Sequence, residues 1–134
     1  MLQPAKIQVR FADLDTMGHV NNTVYLSYFE YARVHYFNEL LGLDWDWRKF
    51  GVLVARNEIN YFKPVLLNHV PQIEILIESI GTKSFTLAYE VTVNGEVVTT
   101  GKSVLVCYDA TTNQSIPVSD EWRTALEKLR PSQQ

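Results

Sequence analysis

The segment from Asn22 to Leu41 constrains most strongly what this chain can fold into. It contains neither glycine nor proline, and Gly42 follows it directly, so the sequence predicts one long helix that ends at Leu41. Apolar residues lie on most sides of this helix rather than along a single stripe. A helix of this kind is normally buried on most sides, so the rest of the chain must supply a surface that surrounds it.

Alternating apolar and polar residues predict strands in most of the remaining chain. The Asn94-Gly95 pair is a strong signal for a tight hairpin, because a type I′ turn needs positive φ at both positions. Ser119 is placed to cap a short amphipathic helix over residues 119–130. The predicted strands are residues 6–11, 52–62, 70–80, 84–93 and 96–109. We therefore predict an α+β fold, in which one antiparallel sheet, with four strands in a meander, curls around the long helix.

Length and composition limit the class of protein. The 134 residues are the size of one domain, and no repeat or linker divides them, so we expect a single domain over residues 1–134. With 46% hydrophobic and 20% charged residues, the chain can build a core. The net charge of −3 and the absence of a basic run argue against nucleic acid as a partner.

The sequence also gives expectations about location and about thiol chemistry. No apolar run reaches the roughly 18 residues that a membrane helix needs, and the N-terminal residues lack an apolar signal core, so we expect a cytoplasmic protein. Cys107 is the single cysteine, which excludes a disulfide within the chain and a zinc site of several cysteines. Its place in a predicted strand indicates a small buried side chain.

The segment "FADLDTMGHVNNTVY", residues 11–25, is the richest in polar groups that carry chemistry. Aspartate and asparagine before a helix are ordinary capping residues, and Gly18 is an ordinary turn residue, but capping alone does not explain so dense a cluster. The D-x-D pattern also suggests a phosphatase nucleophile loop. That interpretation fails for two reasons. The phosphatase pattern is D-x-D-x-T, which requires a threonine at position 17, and the threonine here is Thr16. The predicted sheet is also a meander, whereas those enzymes have a parallel βαβ sheet.

A metal site is the second alternative for this segment. Asp13, Asp15 and His19 offer two carboxylates and an imidazole, which are ligands for iron or zinc. Three donors within one loop, without a fourth from elsewhere, form a weak pattern, and we expect neither a metal nor a cofactor.

One arrangement accounts for the whole cluster: an aromatic residue, D-x-D-x-x-G-x-V, a polar pair, a tyrosine, and then Glu-x-x-Arg. The chain supplies it with Phe11, Asp13, Asp15, Gly18, His19, Val20, Asn21, Asn22, Tyr25, Glu30 and Arg33. This pattern resembles the opening of hotdog-fold acyl-CoA thioesterases of the 4-hydroxybenzoyl-CoA thioesterase type. "NYFKPV" and "GTKSFTLAYEV" resemble later parts of that family, so the likeness spans about residues 5–110. It implies a hotdog fold, in which a curled antiparallel sheet wraps a long central helix, with a short C-terminal helix added here.

The resemblance implies a reaction and roles for individual residues. The chain is expected to hydrolyse a fatty or aromatic acyl-CoA, or a carrier-protein thioester, with Asp15 as nucleophile or general base. Backbone N–H groups near Asn22, at the start of the long helix, would stabilise the oxyanion. His19 and Asn22 would orient water or substrate, and Asp13 would shape the loop. The expected substrate-binding residues are Gly18, Val20, Asn21 and Tyr25, with Arg56, Lys63 and Lys83 for the phosphates of CoA.

Two further groups of residues lie outside this segment's polar cluster. Glu30 and Arg33 are expected to form an ion pair along the helix. Trp45, Trp47 and Phe50 either wall the acyl pocket or pack the connector after the helix.

The exposed sheet edge and the family resemblance predict a homodimer or a homotetramer built as a dimer of dimers. A non-catalytic acyl-CoA-binding domain and a hydroxyacyl-thioester dehydratase remain alternatives. His35 and His69 are poorly placed for the dehydratase.

Overall fold

The computed structural model describes residues 2–131. One long helix is followed by strands and then by a short helix, which confirms the α+β class. The elements are β1 (Ala5–Lys6), a 3-10 helix (Phe11–Asp13), α1 (Val24–Leu41), β2 (Gly51–Tyr61), β3 (Gln72–Ile80), β4 (Ser84–Val93), β5 (Glu96–Asp109), β6 (Gln114–Ser115) and α2 (Asp120–Glu127).

Side-chain hydrogen bonds lie at the start of both helices, as a turn just ahead of α1 and as a cap of α2. The side-chain oxygen of Asn21 accepts a hydrogen bond from the backbone N–H of Thr23 at 3.0 Å, just ahead of α1. Ser119 Oγ accepts from the backbone N–H of Trp122 at 3.2 Å, so the predicted cap of α2 is confirmed. Such caps satisfy N–H groups that have no partner inside the helix. Helix α1 ends at Leu41, as predicted, and Gly42 follows with φ of 86°.

Within residues 2–131, six strands form one sheet in the order β1-β3-β4-β5-β2, with β6 paired to β5. The predicted hairpin between β4 and β5 is confirmed, since Asn94 and Gly95 have φ of 51° and 81°. These positive values match the type I′ turn that the Asn-Gly pair favours.

The expected meander of four consecutive strands is wrong for its first member. Strands β3, β4 and β5 follow one another in the sheet, but β2 pairs with β5 and not with β3. The connection between β2 and β3 contains Pro64 and Pro71 and is too long for a tight turn. It leaves the sheet instead: the carbonyl of Val65 accepts from the N–H of Val20 at 2.8 Å.

The first strand is shorter than the alternation over residues 6–11 predicts. Only Ala5 and Lys6 pair with β3, opposite Ile73 and Gln72. Gln72, the partner of Lys6, is the first residue of β3, so the residues after Lys6 have no part of β3 opposite them. The chain then turns into the 3-10 helix at Phe11.

The first of two compact units contains the chain up to Tyr36, Ile59–Ile75 and Tyr89–Gly101. Its core includes Phe29 of α1, whose ring stacks on that of Tyr89 with centroids 4.1 Å apart. Arg33 donates from Nη1 to the Tyr89 hydroxyl at 2.9 Å. The expected ion pair between Arg33 and Glu30 is wrong: no salt bridge joins them within residues 2–131, because the guanidinium turns to the tyrosine.

The second unit contains Phe37–Glu58, Leu76–Ala88 and the chain from Lys102. At its centre Trp122 is 1% exposed. The Phe50 carbonyl accepts from the indole N–H groups of Trp45 and Trp122, at 2.9 and 3.2 Å. The rings around Trp122 are those of Phe37, Trp45, Trp47 and Phe85. The tryptophans of the connector therefore pack against α2, which is the structural one of the two alternatives.

Cys107 belongs to the second unit and is buried, as predicted. Burial raises the pKa of its thiol to about 11, so the thiol is neutral at physiological pH. The division of the chain into two compact units is interleaved along the sequence, and the expectation of a single domain over residues 1–134 stays a prediction.

Candidate active site

Asp13 fixes the loop that precedes α1. Its Oδ2 accepts from the Arg10 backbone N–H at 2.9 Å and from the Tyr28 hydroxyl at 2.7 Å, and its Oδ1 accepts from Arg10 Nη2 at 3.0 Å. Its carbonyl accepts from the N–H of Asn21 at 2.8 Å. The residue is 2% exposed. Both carboxylate oxygens are thus used in tying the loop to the helix, which agrees with the structural role expected for Asp13.

The electrostatics of Asp13 follow from these contacts. Burial by itself raises the pKa of this carboxyl group, but the hydrogen bonds from Arg10 and Tyr28 outweigh burial and hold the pKa below its ordinary value of 3.8. The same pair affects Tyr28, because burial and the neighbouring carboxylate raise the pKa of its phenol. Asp13 is therefore a charged acceptor and Tyr28 a neutral donor at neutral pH.

Asp15 has a different environment, although it lies only two residues further on. It is exposed, and Oδ1 accepts from the backbone N–H groups of Met17 and His19 at 2.8 and 3.2 Å. Gly18, with φ of 77°, closes the turn by donating to the Asp15 carbonyl at 3.1 Å. Within residues 2–131 no group hydrogen-bonds to Oδ2, so one oxygen is oriented by the turn and the other is open to a substrate.

The start of α1 supplies backbone donors beside this carboxylate. The N–H of Thr23 donates to the side chain of Asn21, and the N–H of Val24 donates to the carbonyl of Asn21. The N–H groups of Asn22 and Tyr25 have no acceptor in the described part of the chain. Unpaired N–H groups at a helix N-terminus carry partial positive charge and attract anions.

An open cleft of about 320 Å³ in the first unit brings these groups together. Six of the residues predicted from the sequence line it, namely Asp15, His19, Val20, Asn22, Tyr25 and Lys63. Gly18 and Asn21 lie in the same loop without lining the cleft. Arg56 and Lys83 belong to the second unit and do not line it.

Sequence reasoning did not select three of the residues that line the cleft, Tyr61, Phe62 and Pro64. They lie where β2 ends and where its connection to β3 hydrogen-bonds to the loop before α1. The segment "NYFKPV" carries part of the family resemblance, which was the available signal. Nothing in it distinguished a residue of the cleft from a residue of the sheet.

The three candidate cations differ in their partners. Lys63 Nζ lies 2.6 Å from Glu96 Oε2, and both side chains are more than half exposed. Arg56 Nη2 lies 3.9 Å from Glu58 Oε1, also at the surface. Lys83 is exposed in the turn between β3 and β4. Exposed ion pairs of this kind contribute little to stability, so neither pair prevents its cation from binding a phosphate.

The described residues offer neither a metal cluster nor a membrane-spanning helix. In residues 2–131 no three side chains of His, Cys, Asp or Glu are grouped so that they could hold a metal ion. The alternative site of Asp13, Asp15 and His19 is disfavoured because Asp13 is turned towards Arg10 and Tyr28. Within the same range no helix is long and apolar enough to cross a membrane.

Comparison with known proteins defines the class to which this fold and cleft belong. Residues 9–126 match the model of the thioesterase-like superfamily, and the chain belongs to that family of thioester hydrolases. Among relatives, the long-chain acyl-CoA thioesterase FadM of Escherichia coli is 29% identical over 127 residues, covering 92% of this chain and 96% of that protein.

Solved structures give the same result. A thioesterase from Thermus thermophilus, complexed with coenzyme A and Zn, is 35% identical with a TM-score of 0.81, covering 92% of this chain and 96% of that one. A DHNA-CoA thioesterase from Staphylococcus aureus is 25% identical with a TM-score of 0.84, covering 94% and 89%. These likenesses confirm the hotdog fold that the sequence predicted.

Proposed function

We propose that this protein hydrolyses acyl-CoA thioesters, with Asp15 as the catalytic carboxylate and the start of α1 as the oxyanion site. The observation that carries the proposal is the cleft that contains Asp15 and Asn22 together. The names of two relatives add support, since one acts on long-chain acyl-CoA and the other on DHNA-CoA. A third, similar thioesterase was solved with coenzyme A bound.

The oxyanion site rests on the two unpaired N–H groups. When a nucleophile attacks a thioester, negative charge develops on the carbonyl oxygen. The N–H groups of Asn22 and Tyr25 are free to donate to that oxygen, and the dipole of α1 favours the same charge. One such donor typically lowers the barrier by about 3 kcal/mol.

Asp15 has two routes to hydrolysis. In one, its carboxylate attacks the carbonyl carbon, CoA leaves as a thiolate, and water then hydrolyses the mixed anhydride. In the other, the carboxylate takes a proton from a water molecule while that water attacks the same carbon, and the C–S bond then breaks to release CoA as a thiolate and the free acid. A thiolate is a good leaving group, so neither route needs a separate acid. In both routes His19 and Asn22 orient the water or the substrate.

Substrate binding divides into two parts in this proposal. Gly18, Val20, Asn21 and Tyr25 shape the cleft around the thioester. Lys63 stands at the cleft and reaches the phosphates of CoA by exchanging Glu96 for the ligand. The assignments of Arg56 and Lys83 to the same phosphates rest on the family resemblance. Assays on a panel of thioesters determine whether the acyl group is fatty or aromatic and whether its carrier is CoA or a carrier protein.

A panel of acyl thioesters of CoA and of carrier protein, assayed with a thiol reagent, tests the proposal. The released thiol reacts with the reagent, whereas the single protein thiol, Cys107, is buried with a raised pKa and gives little background. We expect hydrolysis of at least one acyl-CoA, with a rate proportional to enzyme concentration. Binding of acyl-CoA without thiol release would contradict the proposal and favour a non-catalytic binding domain. Hydration of an enoyl-CoA instead would favour the dehydratase.

A further inference from the structure

Tyr61 connects the end of β2 with the start of α1. Its hydroxyl donates to the backbone carbonyl of Asn22 at 2.8 Å. Its ring meets the ring of Tyr25 edge to face, with centroids 5.0 Å apart and an interplanar angle of 81°. Tyr61 also lines the cleft that contains Asp15. One side chain thus contacts the two residues whose N–H groups are unpaired.

The hydrogen bonds around Asn22 fix the peptide groups on both sides of it. On one side the carbonyl of Asn21 accepts from the N–H of Val24 at 2.9 Å. On the other side the N–H of Thr23 donates to the side chain of Asn21 at 3.0 Å, and the carbonyl of Asn22 accepts from Tyr61. Peptide groups are planar, so the Asn22 N–H lies in the first of these planes, together with the Asn21 carbonyl. Tyr61 anchors the second plane, which meets the first at the Cα of Asn22.

The hydrogen bond from Tyr61 differs from the others because its donor lies outside the turn, in β2. The other hydrogen bonds of the two Asn22 peptide groups stay within residues 21–24, and the Asn21 N–H ties this turn to the preceding loop at the Asp13 carbonyl. Tyr61 is the last residue of β2, and β2 is hydrogen-bonded to β5 in the sheet. Its side chain is 46% exposed, and burial still raises the pKa of the phenol, so it stays a protonated donor at neutral pH.

We propose that Tyr61 is a positioning residue for thioester hydrolysis. Its hydroxyl anchors the Asn22 carbonyl, and this anchor at one side of the Asn22 Cα keeps the Asn22 N–H, at the other side, directed at the thioester oxygen when the oxyanion forms. The inference rests on the proposed function, in which that N–H is an oxyanion donor. Donors that are fixed before the reaction stabilise the transition state most, because no reorganisation is needed when charge develops.

The test is Tyr61→Phe, which removes the hydroxyl and keeps the ring. We expect kcat for the best acyl-CoA to fall roughly three- to tenfold, the effect of one ordinary hydrogen bond. KM should stay within about twofold, since the ring still forms the cleft wall. The matched control is Tyr108→Phe, which removes a hydroxyl that donates to Asn113 at 3.3 Å in the second unit. The control should retain the wild-type kcat.

A second measurement separates this inference from the proposed function. In amide NMR spectra, Tyr61→Phe should shift the resonances of Asn22 and Thr23, and Tyr108→Phe should leave them in place. A wild-type protein that hydrolyses no acyl-CoA would refute the proposed function and, with it, the positioning role. Unchanged kcat in an active Tyr61→Phe enzyme, or unmoved amide resonances, would overturn the inference alone. A higher KM with the wild-type kcat would also overturn it, since Tyr61 would then only bind substrate.

Discussion

Asp13 and Asp15 lie two residues apart in the loop before α1 and have opposite surroundings. Asp13 is 2% exposed and uses both oxygens in hydrogen bonds to Arg10 and Tyr28. Asp15 is exposed and uses one oxygen in a turn. A buried carboxylate with both oxygens hydrogen-bonded is shielded from a substrate, whereas an exposed one with a single oxygen engaged is oriented and still accessible. The environments therefore support a structural role for the first aspartate and leave the second for chemistry.

Asp13→Asn should destabilise the protein by about 2 kcal/mol at pH 7, the range of a hydrogen bond to a charged group. The pKa of Asp13 is lowered in the folded state, so its charge stabilises the fold above the unfolded value of about 3.8 and loses this effect as pH falls through the folded pKa. Urea unfolding at several pH values measures the difference. We expect a large gap from wild type at pH 7 and a smaller one below pH 4.

The matched control for this change is Asp44→Asn, at an exposed position in the connector after α1. It should leave the free energy of unfolding within about 0.5 kcal/mol of wild type. Equal effects of the two substitutions, or a gap for Asp13→Asn that does not change with pH, would contradict the role assigned to Asp13.

Chelators should leave thioesterase activity intact. The donors of the loop are few and local, and Asp13 is engaged by Arg10 and Tyr28, so the described residues offer no dedicated metal site. Activity before and after dialysis against EDTA measures this. Activity lost on chelation and restored by one divalent ion would show that a metal takes part.

At the scale of elements, the sequence predicted the strand bounds and turns that neighbouring residues determine. The bounds of β4 and β5 agree with residues 84–93 and 96–109, because alternation and the Asn94-Gly95 turn are encoded in neighbouring residues. The partner of β2 was missed because it lies far along the chain. The hydrogen bond from Tyr61 to Asn22 joins residues 39 apart and was missed for the same reason.

Helix α1 shows a second limit of sequence reasoning. Its apolar composition predicted burial on most sides, but Tyr31 and Val34 are 58% and 52% exposed. Composition indicates which side chains can be buried, and not which of them the rest of the chain covers. By contrast, most of the candidate cleft was predictable, since Asp15, His19, Val20 and Asn22 lie within one short loop.

Ser119→Ala should lower the free energy of unfolding by about 1 kcal/mol, because it removes the cap of α2. Denaturant unfolding followed by tryptophan fluorescence is a suitable measurement, since Trp45, Trp47 and Trp122 all lie in the aromatic cluster beside α2. The control is Thr124→Ala, at a position within the helix where the side chain is not buried and alanine is the better helix former. A loss as large in the control would argue against capping as the cause.

At the scale of the whole molecule, β2 is the element that favours association with a second chain. It lies at the edge of the sheet, and nearly all of its residues are exposed, including Leu53 and Val54 at 51% and 43%. Neighbouring residues of a strand face opposite sides of the sheet, so neither face of β2 is covered in a single chain. Apolar edges of this kind invite pairing with another strand.

We therefore predict that the active species is a homodimer or a dimer of dimers. Sedimentation of the enzyme at assay concentration should give a mass of at least twice the 15.4 kDa of one chain. Leu53→Glu and Val54→Glu should weaken assembly and activity together, whereas Val97→Glu, at a position 38% exposed on β5, should not. A fully active monomer would rule out the assembly.

The substitution Asp15→Asn tests the central claim most directly. The amide keeps the size of the side chain and its acceptor oxygen, so the turn formed with Met17 and His19 should persist. It cannot act as a nucleophile or a general base, so kcat for the best acyl-CoA should fall about a hundredfold or more, with the wild-type melting temperature retained. Turnover at the wild-type rate in a stably folded Asp15→Asn protein would contradict the assignment of the catalytic carboxylate.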